Sequence, residues 1–274
     1  MSYTIVKLEI AGLKIHDVLR GVRVTMSIEP TSIAPSVRVS RTRSDETQNI
    51  SEATFKQVRE LIVHGKLAPG SRVVEAELAK RLEVSRTPVR AALHRLQQEG
   101  YIRGSGDGGS KAKLSVTPLT QEDSRELYDI VGHIEGLASR AAAQIERQAR
   151  DPLVTRLREL NAQLRELAAA GRGDANVIFE LDINFHQAIV DTGAGPRLRA
   201  LHAAIKPQTE RYWRLYASSI LDQLGLSVSE HVLIIESIAS GNADAAEHAI
   251  QANWQNGAER LSRVIATLGE RGSW

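Results

Sequence analysis

The 274-residue chain has no cysteine. That excludes disulfides and thiolate metal sites and fits a reducing compartment, so a cytoplasmic protein is expected. Aromatic residues make up only 4% of the chain. A core must then be packed from leucine, isoleucine, valine and alanine, which suits helix on helix. No apolar run approaches the roughly 20 residues that span a bilayer, so no membrane partner is expected. The first residues lack a charged head, an apolar stretch and a small-residue cleavage site, so no secretory signal is read there. Excess charge is scarce too, with a net of +2. That balance hides an asymmetry. Residues 51–117 hold 12 Lys/Arg against 7 Asp/Glu, and residues 118–274 hold 16 against 21. A basic segment before an acidic one suits a phosphate-binding head on a body that does not bind DNA.

What is present divides the chain in three. Residues 1–50 read as a flexible extension. Tyr3 to Ile10 and Val22 to Ile28 alternate like short strands, then Pro30, Pro35 and the basic run Arg38 to Arg43 follow. An extended start and a basic arm on DNA phosphates both fit this composition.

Residues 51–118 carry most of the information. Ser51 is placed to cap a helix with Phe55, Val58, Leu61 and Ile62 inward. Leu78, Ala79 and Leu82 mark a second helix, and Val84 plugs a tight turn. Ser85 is an N-cap candidate, and Pro88 falls in the next first turn, where a missing N–H costs little. Val89, Ala92, Leu93 and Leu96 define the inner face of that third helix. Arg86 and Arg90, four apart, project from the other side. Forked donors at the start of such a helix can span guanine O6 and N7 in the major groove. Taken alone, two such arginines describe a solvated helix face. The flanks favour DNA, because Gly100 to Arg103 and Lys113 to Val116 are strand candidates around the turn Gly104 to Ser110. Three helices and a β-hairpin make a winged helix-turn-helix. The expected DNA contacts are Arg72, Ser85, Arg86, Thr87, Arg90 and Arg95, with Arg86 and Arg90 on bases and Arg72 on phosphate.

The stretch LAPGSRVVEAELAKRLEVSRTPVRAALHRLQQEGYI resembles the DNA-binding domain of the GntR family of bacterial transcription regulators. The likeness is to the FadR-like subgroup, which carries a helical FCD ligand-binding domain. It covers about residues 52 to 120, and VSRTPVRAAL is its most specific part. Glu83 stands where the family usually has glycine, so a left-handed backbone there would carry a Cβ penalty. The wing is a few residues longer than usual. The resemblance implies a dimer that binds a short inverted-repeat operator in double-stranded DNA and responds to a small-molecule effector, an organic acid.

Residues 119–274 show helical periodicity and almost no strand signal. Apolar stripes run through Leu127, Ile130, Ile134, Leu137 and Ala141, then Leu153 to Leu167, then Val177, Ile178, Leu181, Phe185 and Ile189. Residues 196–218 form a fourth segment, which Pro207 is expected to kink or divide. Val228, Val232, Ile235 and Ile238 give a fifth stripe, and Ala246 to Leu268 a last one. The expected fold is mainly α: the winged head, then an antiparallel bundle of six or seven helices for effector binding and dimerisation.

Within FELDINFHQAIV, Asp182 and His186 are four apart on an inward face, and His231 faces inward from a later helix. One inward histidine reads first as a satisfied core residue. A carboxylate and two imidazoles can instead hold one divalent ion, with N/O ligation suited to Zn²⁺, Ni²⁺ or Mn²⁺. Resemblance to the FCD domain favours the metal, because Asp182, Phe185, His186, Glu230 and His231 match its ligand motifs. A further family histidine is replaced by Asn253, whose carbonyl oxygen is a weaker ligand. Val131 stands where many relatives have an arginine. A metal-dependent enzyme is the alternative, as is a metal-free scaffold. No HExxH motif is present, and the GSGDGGS glycines lack the lysine and strand–turn–helix setting of a phosphate loop.

Overall fold

The computed structural model describes residues 43–105, 113–170, 174–220 and 223–272. The expected extension lies outside the described residues as far as residue 42, both short strands included. The first helix, α1, spans Arg43–Val63. Ser51 therefore lies inside it rather than capping it. Residues 43–50 contain neither proline nor glycine, so nothing stops the helix from running upstream of its apolar face. Phe55, Val58 and Ile62 are buried, and Leu61 is half-buried.

Strand β1 (Arg72–Val73) follows, then α2 (Glu75–Arg81), α3 (Arg86–Gln98), β2 (Ile102–Ser105) and β3 (Lys113–Val116). The sheet is antiparallel in the order β1-β3-β2, with Ile102 opposite Val116 and Arg72 opposite Ser115. β1 was not expected, since two residues are too short to leave an alternation. Gly100, expected in a strand, takes φ 79° and ends the α3 segment. Gly104 and Ser105 extend β2, and the rest of the wing tip lies outside the described residues. The α2–α3 turn passes through Glu83 at φ 56°, as the missing glycine implied. Ser85 occupies the N-cap of α3 with extended backbone, but its hydroxyl makes no capping bond. Val58, Val89, Leu96, Tyr101 and Val116 centre the core of this head.

Six helices follow among the described residues: α4 (Gln121–Gln144), α5 (Arg147–Ala170), α6 (Ala175–Gly193), α7 (Pro196–Ile220), α8 (Leu224–Ser240) and α9 (Ala243–Leu268). Thr120, Asp174 and Asn242 cap α4, α6 and α9 by accepting backbone N–H groups. Helix α7 is not divided at Pro207. Buried His202 and Lys206 before the proline and Tyr212 and Tyr216 after it hold both halves by packing.

The buried face of α4 differs from the expected stripe. It is built from Leu127, Tyr128, Val131, Glu135, Ala138 and Ala142, while Ile130 and Leu137 are 37% and 51% exposed. Close approach of α9 selects the smaller face. A Cβ on Gly132 would lie 3.0 Å from the Trp254 Cβ, and one on Gly136 2.9 Å from Gln251 Nε2. Val177 and Val232, both expected inward, also face out.

Candidate functional site

On the head, Arg72, Ser85, Arg86, Thr87 and Arg90 are all exposed. Ser85, Arg86 and Thr87 form the leading end of α3, and Arg72 lies on β1. Arg86 and Arg72 have no ion pair among the described residues. The Arg90 fork donates to Glu75 through Nε at 3.1 Å and Nη2 at 2.9 Å, with its side chain 75% exposed. Arg95 differs from the rest. It donates to Glu52 at 2.6 Å and Glu99 at 2.8 Å, and its guanidinium lies 3.7 Å from the Phe55 ring centroid. Arg95 thus braces α3 against α1, with its side chain still 46% exposed.

In the bundle, α6 supplies Asp182 and His186, and α8 supplies His231. Their ligand atoms all lie within 4.8 Å of one another. His231 Nδ1 lies 3.3 Å from Asn161 Oδ1, which orients the ring, and Phe185 stacks on it at 3.9 Å. His231 Nε2 is buried without a hydrogen-bond partner, 3.6 Å from Asp182 Oδ1. Burial first, then His186 and Arg260, push the His231 pKa well below its ordinary value. Burial disfavours a charged imidazole, and with Nδ1 turned to the Asn161 amide oxygen, Nε2 is the nitrogen able to face a cation.

His186 Nδ1 meets Glu135 Oε2 at 2.5 Å, leaving Nε2 for another partner. Glu135 is fully buried and also receives His202 Nε2 at 2.9 Å and Trp254 Nε1 at 2.8 Å. Burial favours its neutral acid, but His186 and His202 hold its pKa below the usual carboxylate range. Burial likewise opposes charge on His186, yet Glu135 raises its pKa. A carboxylate behind a histidine fixes the tautomer and sharpens the ring as a ligand. The donor set, the orphaned His231 nitrogen and this backing fit a divalent cation. Asn253 donates Nδ2 to Glu230 at 2.8 Å, which leaves its carbonyl oxygen as the group able to face a cation. Glu135, His202 and Asn161 were missed from sequence. The available signal was a charged residue within the Val131, Ala138, Ala142 stripe, and an asparagine among the leucines of α5.

A pocket of about 780 Å³, its open mouth included, lies beside this trio. Asp182, His186, Lys206, Trp213, Asn253 and Trp254 are among its walls. The pocket helices also reach the head. From α7, Gln208 Nε2 donates to the Glu99 carbonyl at 2.7 Å and Arg211 Nη2 to the Thr117 carbonyl at 2.6 Å. Beyond α9, Arg271 and Leu119 exchange backbone hydrogen bonds of 2.9 and 3.1 Å, and Gly272 packs on Pro69 and Gly70. A Cβ on Gly272 would sit 2.4 Å from the Pro69 carbonyl carbon, so only glycine allows that approach.

A winged helix-turn-helix bonded to a helical body with its own pocket defines a class: the DNA-binding transcription regulators. Residues 50–110 match the profile of bacterial regulatory proteins of the gntR family, and residues 126–256 match the FCD domain. The chain belongs to the GntR family and carries an FCD domain. A regulator from the TAR-I ttuE-ttuC' intergenic region of Agrobacterium vitis is 30% identical over 52% of this chain and 80% of its own length. The HTH-type transcriptional repressor RspR of Escherichia coli K12 is 27% identical over 81% of this chain and 93% of its own. Among solved structures, E. coli McbR/YncC has the same fold, with a TM-score of 0.59 at 20% identity over 78% of this chain and 97% of its own. No helix among the described residues is long and apolar enough to cross a membrane.

Proposed function

We propose that this GntR/FCD regulator is a homodimer that binds an inverted-repeat operator and changes its hold on DNA when a small organic acid occupies the bundle pocket beside a divalent metal. One observation carries this reading. Helix α7 presents Lys206, Thr209, Glu210 and Trp213 to the pocket, and from the same turns Gln208 and Arg211 bond to head carbonyls. An occupant that prefers one position of α7 biases the head, and without such a preference it would shift nothing.

Residues 51–118 form the DNA-binding domain and residues 119–274 the sensory and dimerising domain. This division is supported by two separate hydrophobic clusters, one within residues 55–116 and one starting at Leu119. Arg86 and Arg90 read bases, Ser85 and Thr87 lie beside them, and Arg72 holds phosphate. Asp182, His186 and His231 bind the metal (Zn²⁺, Ni²⁺ or Mn²⁺), which supplies a Lewis-acid centre for effector oxygens, with Asn253 as a weak fourth donor. Ile130 and Leu137, seven apart on the outer face of α4, suit burial by a second copy.

Selection of random duplex DNA by the full-length protein tests the reading. Recovery of an inverted repeat whose half-sites lie on one face of the duplex is expected. A monomer that enriches no sequence overturns it.

A further inference from the structure

The pocket is richer in aromatic surface than the chain as a whole. Four of its wall residues, Tyr128, Phe179, Trp213 and Trp254, are rings held by other contacts. Phe179 and Trp213 stack with centroids 4.4 Å apart and planes 28° apart. Trp254 packs edge-on against Tyr128 at 5.1 Å, and its indole N–H is tied to Glu135. These rings are rigid and so lose little freedom when a flat ligand packs on them.

The cations of the pocket are fewer than they look. Arg260 is 6% exposed and spends its fork on Glu230, at 2.7 and 3.0 Å, with a further bond to Ser227 at 3.2 Å. Lys206 is 8% exposed, and its nearest carboxylate, Glu210, is 3.9 Å away, beyond a hydrogen bond. Its ammonium also lies 5.7 Å from the Trp254 ring centroid. Val131 is fully buried in the core and brings no charge. The wall therefore offers one lysine with donors to spare and no free guanidinium. A ligand with carboxylates beyond the one shared between Lys206 and the Asp182/His186/His231 centre would bury anions that no further lysine or free guanidinium can pair, which is costly.

We propose that the pocket takes a small aromatic monocarboxylate, with its ring against the Phe179, Trp213 and Trp254 surfaces and its carboxylate toward Lys206 and the Asp182/His186/His231 centre. This rests on the reading that the pocket is the sensory site. The site selects on both parts of the ligand: the ring fills the apolar walls, and the single carboxylate meets the single available lysine.

The test titrates the full-length protein, loaded with Zn²⁺, with benzoate, benzamide, cyclohexanecarboxylate and citrate. Two of the three tryptophans of the chain, Trp213 and Trp254, line the pocket, so their emission reports binding directly. Benzoate is expected to saturate the signal, with benzamide and citrate each binding at least about tenfold more weakly and cyclohexanecarboxylate in between. Lys206→Met should weaken benzoate at least about tenfold while leaving Zn²⁺ binding unchanged. Trp213→Leu should weaken benzoate relative to cyclohexanecarboxylate and so narrow the preference for the aromatic ring, a readout that misfolding would not give. Citrate binding tighter than benzoate, or benzamide equal to it, overturns the ligand class but leaves a sensory pocket intact. Zn²⁺ binding with no response to any of the four also overturns the class. Failure to select operator DNA bears on the regulator reading alone.

Discussion

Replacing Glu135 tests whether the buried cluster organises the bundle. Its carboxylate accepts from His186, His202 and Trp254 and has no exposed surface. Glu135→Ala leaves three buried donors without an acceptor. Breaking a buried charged network from one side costs about 3–5 kcal/mol. For a protein of this size each kcal/mol moves the melting temperature by about 2–4 °C, so a fall of roughly 6–20 °C is expected. Glu135→Gln keeps the volume and one acceptor but turns an amide N–H₂ toward a donor, so its loss should be intermediate.

The pH dependence has a definite sign. Glu135 is depressed when folded, so its contribution is present above the unfolded value of about 4.3 and is lost as pH falls through the folded value. His186 is raised, so its contribution is complete below about 6.5 and is lost as pH rises through its folded value. In metal-free protein, the gap between wild type and Glu135→Gln should be widest between about pH 4.3 and 6.5 and should narrow in alkali. Thermal melts in chelator at pH 5.5 and 8.5 measure it. An Ala variant melting within about 2 °C of wild type, or a gap that widens with pH, refutes the reasoning.

Three further outcomes follow from other sites. Arg86→Ala should lower operator affinity roughly 10- to 100-fold and relax sequence preference, whereas Arg72→Ala should weaken all DNA alike and flatten the salt dependence; fluorescence anisotropy on selected and scrambled duplexes separates the two. His186→Ala should abolish stoichiometric Zn²⁺ or Ni²⁺ binding, and Asn253→His should tighten it by adding an imidazole; elemental analysis and calorimetry on protein purified without chelator decide this, and a metal-free wild type after soaking counts against the site. Glu83→Gly should stabilise the head by about 0.5–1 kcal/mol, because φ 56° penalises a Cβ; urea unfolding that shows a loss would mean that the Glu83 side chain contributes more than the strain costs.

The winged head was legible because its cues are local: a cap position, a proline in the first turn, helical spacing and strand-bounded glycines all fall within about 70 residues. The metal-ligand candidates were legible for a related reason, since Asp182 and His186 share one helix face and His231 sits in its own apolar period. What surrounds them depends on which helices meet. Glu135, on α4, faces α6 through His186, α7 through His202 and α9 through Trp254, and no spacing within one segment encodes those meetings. The brace from Arg95 to Glu52, 43 positions away on α1, is equally invisible to spacing within one segment.

The error on α4 has the same origin and a consequence. Hydrophobicity alone assigns Ile130 and Leu137 inward, but α9 can approach closely only over Gly132, Gly136 and the alanines, so packing density overrules side-chain size. Two large apolar residues then lie on the outer face of the bundle's first helix. A two-fold pairing of α4, as proposed above, would bury both at once. If that pairing forms the dimer, Leu137→Glu should dissociate the full-length protein in sedimentation and leave its helical content unchanged. A dimer that survives the charge would place the interface on another face.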